Sequence, residues 1–318
     1  MIKYKYVHFI WILLFSLFIS FFPWEKFRAY EYTDRLNNYN YITYYTNKIE
    51  WFEYNSAISY ISYEWLWHFL LNFLSNNLGF SAFFIFFIIS FLSAISFSKI
   101  LYKNLGIGAI FLLISPNFID FNQSQLRLAF ASSILGFSYL LFLKNKKILA
   151  FILLLFTPFI HTSSLIFLLF AFLSFLVNNY FSNNNMKFLI LSIIGFFSGF
   201  VMGPLRTIIL GFFEDRRAEF SDMSSPFISI SFWIITYLTL GILILLNKIK
   251  LNFEICFSLI ILSLIFSNIF FPIYSSRFIS ATFPFLLISL FSLPKEFRLI
   301  GLVGYSLYSL FLWVFWIY

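Results

Sequence analysis

Long apolar runs recur from one end of this chain to the other, and they leave no room between them for a soluble domain. Only 11% of the 318 residues are charged, whereas a soluble domain carries about 25%. A run of about 20 apolar residues is long enough to cross a hydrocarbon layer roughly 30 Å thick. We therefore predict an all-α, polytopic integral membrane protein whose residues 1–318 form a single transmembrane domain.

The apolar runs predict about eleven transmembrane helices. Their approximate bounds are 7–23, 80–100, 105–119, 124–143, 147–160, 162–178, 187–202, 228–247, 252–270, 277–292 and 298–317. The first run follows Lys3 and Lys5 and has no cleavage site of small residues. We interpret it as a retained first helix rather than as a signal peptide.

The lysines set the predicted orientation, because lysine and arginine near the ends of spans favour the cytoplasmic side. With the N-terminus inside and one crossing per run, eleven of the thirteen lysines lie in the cytoplasm. This count requires that residues 64–78 do not cross. We therefore predict a re-entrant or interfacial helix there, and outer-face loops at 24–79 and 203–227.

The arginines show the opposite distribution. Under the same topology seven of the eight lie on the outer face: Arg28, Arg35, Arg127, Arg206, Arg216, Arg217 and Arg277. Orientation rules treat the two residue types alike, so orientation does not explain the difference. A guanidinium grips phosphate or carboxylate at two points. Alternatively, these arginines pair with outer acids, namely Glu31, Asp34, Glu214, Asp215, Glu219 and Asp222.

The stretch FNQSQLRLAF, residues 121–130, places an arginine at the edge of a span, where an ionisable group is expensive and usually functional. If one helix begins near Asp120, then Asp120, Gln123 and Arg127 share a face of its outer end, because they are spaced by three and four. We expect Arg127 to point into an outward-opening pocket that favours an anionic group.

A second polar interruption is TPFIHTSS, residues 157–164, where Pro158 and the following hydroxyl residues predict the end of one span and the start of the next. This turn holds His161 on the outer side. An imidazole can act there as base, acid or neutral hydrogen-bond donor. The alternative is a capping or packing histidine.

Two further segments bring polar residues to the outer face. Tyr274 and Arg277 separate two late spans in FFPIYSSRFISATFPF. The hydrophilic residues 24–63 are rich in Tyr, Asn and acids, include Asp34, and lead to Glu64 at the start of the non-crossing segment. Aromatic faces with carboxylate or amide edges suit sugar rings, although interfacial loops often share this composition.

Several chemistries find no motif in the chain. It has no Walker A loop, dinucleotide fingerprint, HExxH motif or Cys/His ligand set, and no tight pair of acids for a divalent metal. We therefore expect no cofactor, no metal and no nucleic-acid partner. The lone Cys256 lies in an apolar run, which predicts a packed thiol rather than a nucleophile.

Five short segments, in their order and spacing, resemble the EpsG family of bacterial exopolysaccharide and O-antigen (Wzy-like) polymerases. They are TDRLNNYNYITYY, YEWLWHFLLNFLSNNLGFSAFFIFF, QLRLAFA, HTSSLIF and YSSRFIS, and the likeness covers most of residues 1–290. The chain departs from the family pattern at Leu128, where a Gln usually follows the arginine. This departure puts the role of a following Gln in doubt and leaves the arginine's role intact.

The resemblance implies a GT-C-like glycosyltransferase in the bacterial inner membrane, with its active site on the outer face. Its substrate would be undecaprenyl-diphosphate-linked oligosaccharide, and its partners the bilayer and other polysaccharide-assembly membrane proteins. Arg127 would hold the diphosphate with help from Arg277. His161, Glu64 and Asp34 are candidates, in that order, for the group that activates the acceptor hydroxyl.

Gln123, Tyr274 and Arg206 are further candidates for substrate contacts. Three other functions stay open: a lipid-linked oligosaccharide flippase, an O-antigen ligase and a membrane O-acyltransferase. A flippase usually shows internal repeats and ionisable groups near the midplane, whereas here the charges lie at one face. An acyl donor normally arrives from the cytoplasm, where this chain offers mainly lysines.

Overall fold

The computed structural model describes residues 2–44, 53–212 and 225–318. These residues form helices and no strand, which confirms the all-α prediction. The α-helices are α1 (Ile2–Phe21), α2 (Thr33–Tyr44), α3 (Ala57–Ser62), α4 (Trp65–Asn72), α5 (Ala82–Leu105), α6 (Pro116–Ser124), α7 (Leu126–Leu143), α8 (Lys147–Ile160), α9 (Ser164–Tyr180), α10 (Asn184–Met202), α11 (Arg206–Phe212), α12 (Phe227–Leu245), α13 (Phe253–Ser267), α14 (Ser275–Ala281), α15 (Phe283–Phe291) and α16 (Lys295–Ile317). Two 3₁₀-helices, Trp24–Phe27 and Ile107–Leu113, and one π-helix, Phe73–Asn77, complete the set.

Five of the described helices are long and apolar enough to cross a membrane: α5, α7, α10, α12 and α16. Four shorter apolar helices are Tyr6–Phe21, Lys147–Ile160, Ser164–Tyr180 and Phe253–Ser267. Large apolar side chains are exposed along them, for example Ile148 at 81% and Phe172 at 57%. Such a surface suits lipid and not water. The fold is therefore that of a helical protein suited to a membrane, while the count of eleven crossings stays a prediction.

The segment 24–79, which the topology places between two crossings, contains the helices α2, α3 and α4, and its position on the outer face stays a prediction. Helix α4 and the π-helix together run from Trp65 to Asn77, and at 1.5 Å per residue they reach only about 20 Å. This length is short of a hydrocarbon layer of about 30 Å and agrees with a segment that does not cross. In the second predicted loop, Arg216, Arg217 and the four neighbouring acids lie outside the described residues.

The predicted helix that would carry Asp120, Gln123 and Arg127 on one face is wrong. Helix α6 ends at Ser124, Gln125 has a non-helical ψ of 54°, and α7 begins at Leu126. The polar side chains on the two sides of the break have different partners. Asn122 and Gln123 bond to Ser90, and Arg127 bonds to Glu64. The hydrogen bonds that these side chains make with separate partners stabilise the fold by more than an unbroken helix would.

The chain divides into two compact units, Met1–Leu168 with Trp313–Tyr318, and Leu169–Leu312. In the first unit, α1 packs against α5, α5 against α7, and α7 against α8. His8 Nδ1 lies 3.0 Å from the Tyr102 hydroxyl, and Gln123 Nε2 donates to the Ile19 carbonyl at 2.9 Å. Each contact joins two positions that the predicted topology puts on the same side of the membrane.

The final residues of α16 belong to this first unit. The Ala29 amide donates to the Trp316 carbonyl at 3.0 Å, and the Trp316 indole donates to Asp120 Oδ1 at 3.3 Å. The Trp313 ring lies 5.7 Å from the ring of Trp24, centroid to centroid. The C-terminal end of the last helix is thus tied to the segment that follows the first helix.

In the second unit the closest helix pair is α10 with α13. Gly195 and Gly199 lie one turn apart on the contacting face of α10. A β-carbon added at Gly195 would collide with the Ile260 carbonyl oxygen, and one at Gly199 would collide with the Ser267 hydroxyl. Small residues four apart let two helix backbones approach closely in a membrane.

Candidate functional site

Glu64 is the centre of the candidate site. It precedes α4 in the left-handed conformation, with φ 51° and ψ 48°, which a residue other than Gly adopts only when surrounding contacts hold it there. Its side chain is only 6% exposed. A buried carboxylate must be paired and hydrogen-bonded to be tolerated, and three neighbours meet this need.

The first neighbour is Arg127, at the second position of α7. Its Nη1 lies 2.6 Å from Glu64 Oε2, across a sequence separation of 63 residues. The Arg127 side chain remains 35% exposed. Arg127 therefore neutralises the carboxylate on one side and still presents guanidinium donors to whatever enters from outside the pair.

The second and third neighbours come from the turn between α8 and α9. His161 is the C-cap residue that follows α8, and its Nδ1 lies 2.5 Å from Glu64 Oε1. The Thr162 backbone N–H donates to the same oxygen at 3.2 Å, and the Thr162 hydroxyl lies 3.3 Å from it. The prediction that His161 lies at a turn between two helices is confirmed, and the turn supplies two consecutive residues to the carboxylate.

Buried apolar neighbours fix the three chain segments against one another. Trp67, Leu126 and Ile160 are each about 1% exposed and belong to one hydrophobic cluster. Leu126 precedes Arg127, Ile160 precedes His161, and Trp67 follows Glu64 by one turn of α4. Well-packed side chains leave little freedom to the residues beside them, so the polar groups meet in one geometry.

Burial raises the pKa of the Glu64 carboxyl group, because a charge in a poorly solvated place is unfavourable. The charges of Arg127 and His161 and the hydrogen bonds from His161 and Thr162 lower it by more. The net pKa of Glu64 therefore lies well below its usual range. The ionised carboxylate is therefore the favoured form of Glu64 at neutral pH.

An ionised carboxylate only accepts hydrogen bonds, so the His161 Nδ1 atom beside it must carry a proton. In the neutral ring the lone pair is then on Nε2. That nitrogen makes no hydrogen bond to any residue in the described parts of the chain. The arrangement resembles the carboxylate–imidazole pair of hydrolytic triads, in which the acid fixes the tautomer and the imidazole accepts a proton.

The other first-unit candidates lie in a separate polar group. Gln123 Oε1 accepts a hydrogen bond from Arg35 Nη1 at 3.0 Å. Asp34 is close enough to Asp120 for their negative charges to repel each other, and Asp120 Oδ1 pairs with Arg28 Nε at 3.0 Å. The structure thus brings Glu64, Arg127 and His161 together, while Gln123 bonds to Arg35 and Asp34 lies near Asp120.

The remaining candidates belong to the second unit. Tyr274 precedes α14, and the Arg277 guanidinium lies over its ring at 4.6 Å from the centroid. Arg206 begins α11. A cation over an aromatic face is a favourable contact, so Tyr274 and Arg277 form a cation–π pair within the second unit.

Sequence reasoning missed one member of the site, Thr162, which is one of the hydroxyl residues that follow His161 in the second polar interruption. Its amide donates to Glu64 because the chain turns at His161, and the position next to a candidate base was the available signal. Among the described residues no group of three His, Cys, Asp or Glu side chains could hold a metal ion.

The geometry therefore defines a cluster of Glu64, Arg127, His161 and Thr162, with one cation and one imidazole ordered by a buried carboxylate. Such a cluster can take a proton from a hydroxyl group and stabilise a negative charge beside it. Comparison of the chain with protein-family models, with curated proteins and with solved structures found no match.

Proposed function

We propose that this protein is a membrane glycosyltransferase that polymerises a bacterial polysaccharide, with Glu64, Arg127 and His161 at its active site. The observation that carries the proposal is the buried Glu64 carboxylate, which bonds to His161 through one oxygen and to Arg127 through the other. A proton acceptor and a guanidinium are thereby set side by side. The likeness of the chain's short motifs to the EpsG family supports the choice of a glycan as substrate.

The proposed reaction transfers a glycan from an undecaprenyl diphosphate carrier to a sugar hydroxyl on a second lipid-linked repeat unit. The hydroxyl oxygen forms a bond to the anomeric carbon, and the bond from that carbon to the phosphate oxygen breaks. The hydroxyl proton passes to His161 Nε2, and the electron pair leaves with the lipid diphosphate. Arg127 stabilises the charge that develops there. Glu64 holds the imidazole in the required tautomer.

The proposal includes eleven crossings, a GT-C-like arrangement, a cytoplasmic N-terminus and an active site on the outer face of the bacterial inner membrane. Lysine distribution and the positions of the polar clusters support this orientation. The lipid-linked oligosaccharide and the bilayer are the proposed partners, together with other membrane proteins of polysaccharide assembly. Arg277, Tyr274 and Arg206 stay candidates for further substrate contacts.

The test is the length distribution of lipid-linked and surface glycan in cells that lack the chain and are complemented with variants. We expect the deletion to lose long chains and keep single external repeats. Arg127→Lys should keep its expression and lower the polymerisation rate about ten- to a hundredfold, because the ammonium retains the charge and loses the planar fork.

Arg298→Lys is the matched control. Among the described residues the Arg298 side chain hydrogen-bonds to the Leu293 carbonyl alone, so this variant should leave chain length unchanged. Wild-type chain lengths in Arg127→Lys cells would contradict the assigned role of the guanidinium. Long chains in deleted cells would contradict the proposed function. If the deletion removes the single external repeats as well, the chain acts as a flippase instead.

A further inference from the structure

A second polar region of the first unit forms an open cavity of about 420 Å³. It lies between the segment that follows α1, the start of α2 and the start of α5. Two arginines (Arg28 and Arg35), two acids (Glu25 and Glu31) and several aromatic rings line it. The volume falls within the range of small-ligand pockets, roughly 300–1,000 Å³, and is far larger than a single ion needs.

The cavity is lined by equal numbers of positive and negative side chains, and both arginines already make ion pairs and hydrogen bonds within the protein. Arg28 pairs with Asp120 at 3.0 Å and donates to the carbonyls of Tyr30 and Glu31 at 2.8 and 2.7 Å. Arg35 bonds to Gln123 at 3.0 Å and lies 3.8 Å from Glu25. Two cations matched by two lining acids give no net attraction for a diphosphate. Arg28 and Arg35 are also less exposed than Arg127, with 19% of each side chain accessible against 35% for Arg127.

The lining instead matches a molecule that carries many hydroxyl groups. Carboxylates accept hydrogen bonds from hydroxyls, and guanidinium groups donate to them. Tyrosine offers a flat apolar face with a polar tip. Tyr30 presents its side chain at the open rim, 75% exposed, and Tyr39 lines the wall beside Phe83 and Phe86. This combination of ring faces and charged edges suits sugar rings.

The cavity is close to the cluster around Glu64. Gln123, the partner of Arg35, is four residues from Arg127, so their α-carbons are separated by at most about 14 Å even in extended chain. Phe86, in the cavity wall, belongs to the same hydrophobic cluster as Leu126 and Ile160. The cavity and the Glu64 cluster are therefore neighbours within the first unit.

We propose that this cavity binds uncharged, hydroxyl-rich sugar units of the acceptor glycan and so selects which glycan is extended. The inference rests on the proposed function, because it names the acceptor for that same transfer. Glu25, Glu31 and Tyr30 act in it as binding groups and take no part in proton transfer.

Binding is tested by saturation-transfer NMR on the full chain in lipid nanodiscs. The probe is the set of one- to three-repeat oligosaccharides released by mild acid from the surface polysaccharide of the same cells. In the wild type we expect saturation transfer to the sugar ring protons. In Tyr30→Ala and in Glu31→Gln we expect the affinity to fall roughly tenfold, which is the effect of losing one hydrogen bond to a charged group. Tyr180→Ala is the matched control, because Tyr180 is 77% exposed and lies at the end of α9.

Inorganic pyrophosphate is the second probe and should not displace the oligosaccharide. Displacement by pyrophosphate would overturn the proposal in favour of an anion site. Equal saturation transfer in the wild type and both cavity variants would overturn it as well, as would the absence of any transfer.

Kinetics separates this inference from the function on which it rests. In chain extension with purified lipid-linked repeats, Tyr30→Ala and Glu31→Gln should raise the KM for acceptor about tenfold and leave kcat near the wild-type value. If the wild type extends chains and the variants keep its KM, the cavity assignment is wrong and the proposed function stands. If the wild type extends no chains, the proposed function fails, and the NMR result alone decides whether the cavity binds sugar.

Discussion

Arg127 occupies the second position of α7, where the helix dipole disfavours a cation. The Glu64 carboxylate, 2.6 Å away, compensates for this placement. A purely structural pair could have used a neutral hydrogen bond, which needs no desolvation of two charges. An arginine held at an unfavourable helix end by a buried acid, with part of its side chain exposed, agrees with the anion-binding role that we propose.

The pH dependence of activity tests the proposed base. The pKa of Glu64 is lowered, so this carboxylate stays ionised between about pH 5 and 8.5 and contributes no change there. Only a neutral imidazole accepts a proton, so a base at His161 predicts activity that falls as the pH falls. His161→Gln should remove most of the rate together with this acidic limb. The measurement is chain extension on purified lipid-linked repeat units.

His8→Gln is the control. His8 contacts Tyr102 near the start of α1 and the end of α5, on the predicted cytoplasmic side and away from the candidate site. This variant should keep both the rate and the shape of the profile. If His161→Gln matches the wild type in rate and profile, His161 has no part in the mechanism. Activity that rises as the pH falls would indicate a protonated His161 that binds the diphosphate instead.

Individual site residues could be found from the sequence, because a charge or an imidazole is conspicuous in so apolar a chain. Glu64, Arg127 and His161 were identified in this way. Their meeting could not be predicted, since Glu64 is 63 residues from Arg127 and 97 from His161. The apolar runs and the lysines predict a side of the membrane for each helix end and do not say which ends are neighbours.

At the level of elements, the contact between α10 and α13 depends on glycine. Gly195→Ala should lower the melting temperature by several degrees, because overpacking of this kind costs about 1–3 kcal/mol. The added carbon meets the Ile260 carbonyl oxygen, which is backbone and cannot rotate away, and comes within 2.7 Å of the Ser263 β-carbon. Thermal unfolding in detergent measures the effect.

Gly211→Ala makes the same substitution in α11, where an added β-carbon meets no atom within 4 Å. Its melting temperature should equal that of the wild type or slightly exceed it, because alanine favours a helix over glycine. Equal melting temperatures for the two variants would show that α10 and α13 separate easily at this contact.

Element boundaries were predictable where turn chemistry marks them, as at His161, and were missed where tertiary contacts decide. The break at Gln125 is the main example. The sequence around it carries no Pro or Gly, and the spacing of Asp120, Gln123 and Arg127 fits one helix. The break arises because the partners of Gln123 and Arg127 come from distant parts of the chain.

For the whole molecule, the accessibility of introduced cysteines tests the topology. In a background in which Cys256 is replaced by serine, Ser182→Cys lies between α9 and α10 on the predicted inner side, and Asn77→Cys follows α4 on the outer side. Both positions are exposed. An impermeant thiol reagent should label Asn77→Cys in intact cells and Ser182→Cys only after permeabilisation. Labelling of Ser182→Cys in intact cells would show that the number of crossings before it is wrong.

The attachment of the C-terminal end of α16 to the first unit affects how the protein is made. A ribosome delivers Trp313 and Trp316 after all the other described helices, yet Trp316 bonds to Ala29 and Asp120, which are synthesised much earlier. A nascent chain that has already inserted its early helices still lacks the indole beside Asp120, the acid that pairs with Arg28. Assembly of this region therefore waits for the synthesis of α16, and a chain stalled before α16 exposes an incomplete polar surface to quality-control proteases.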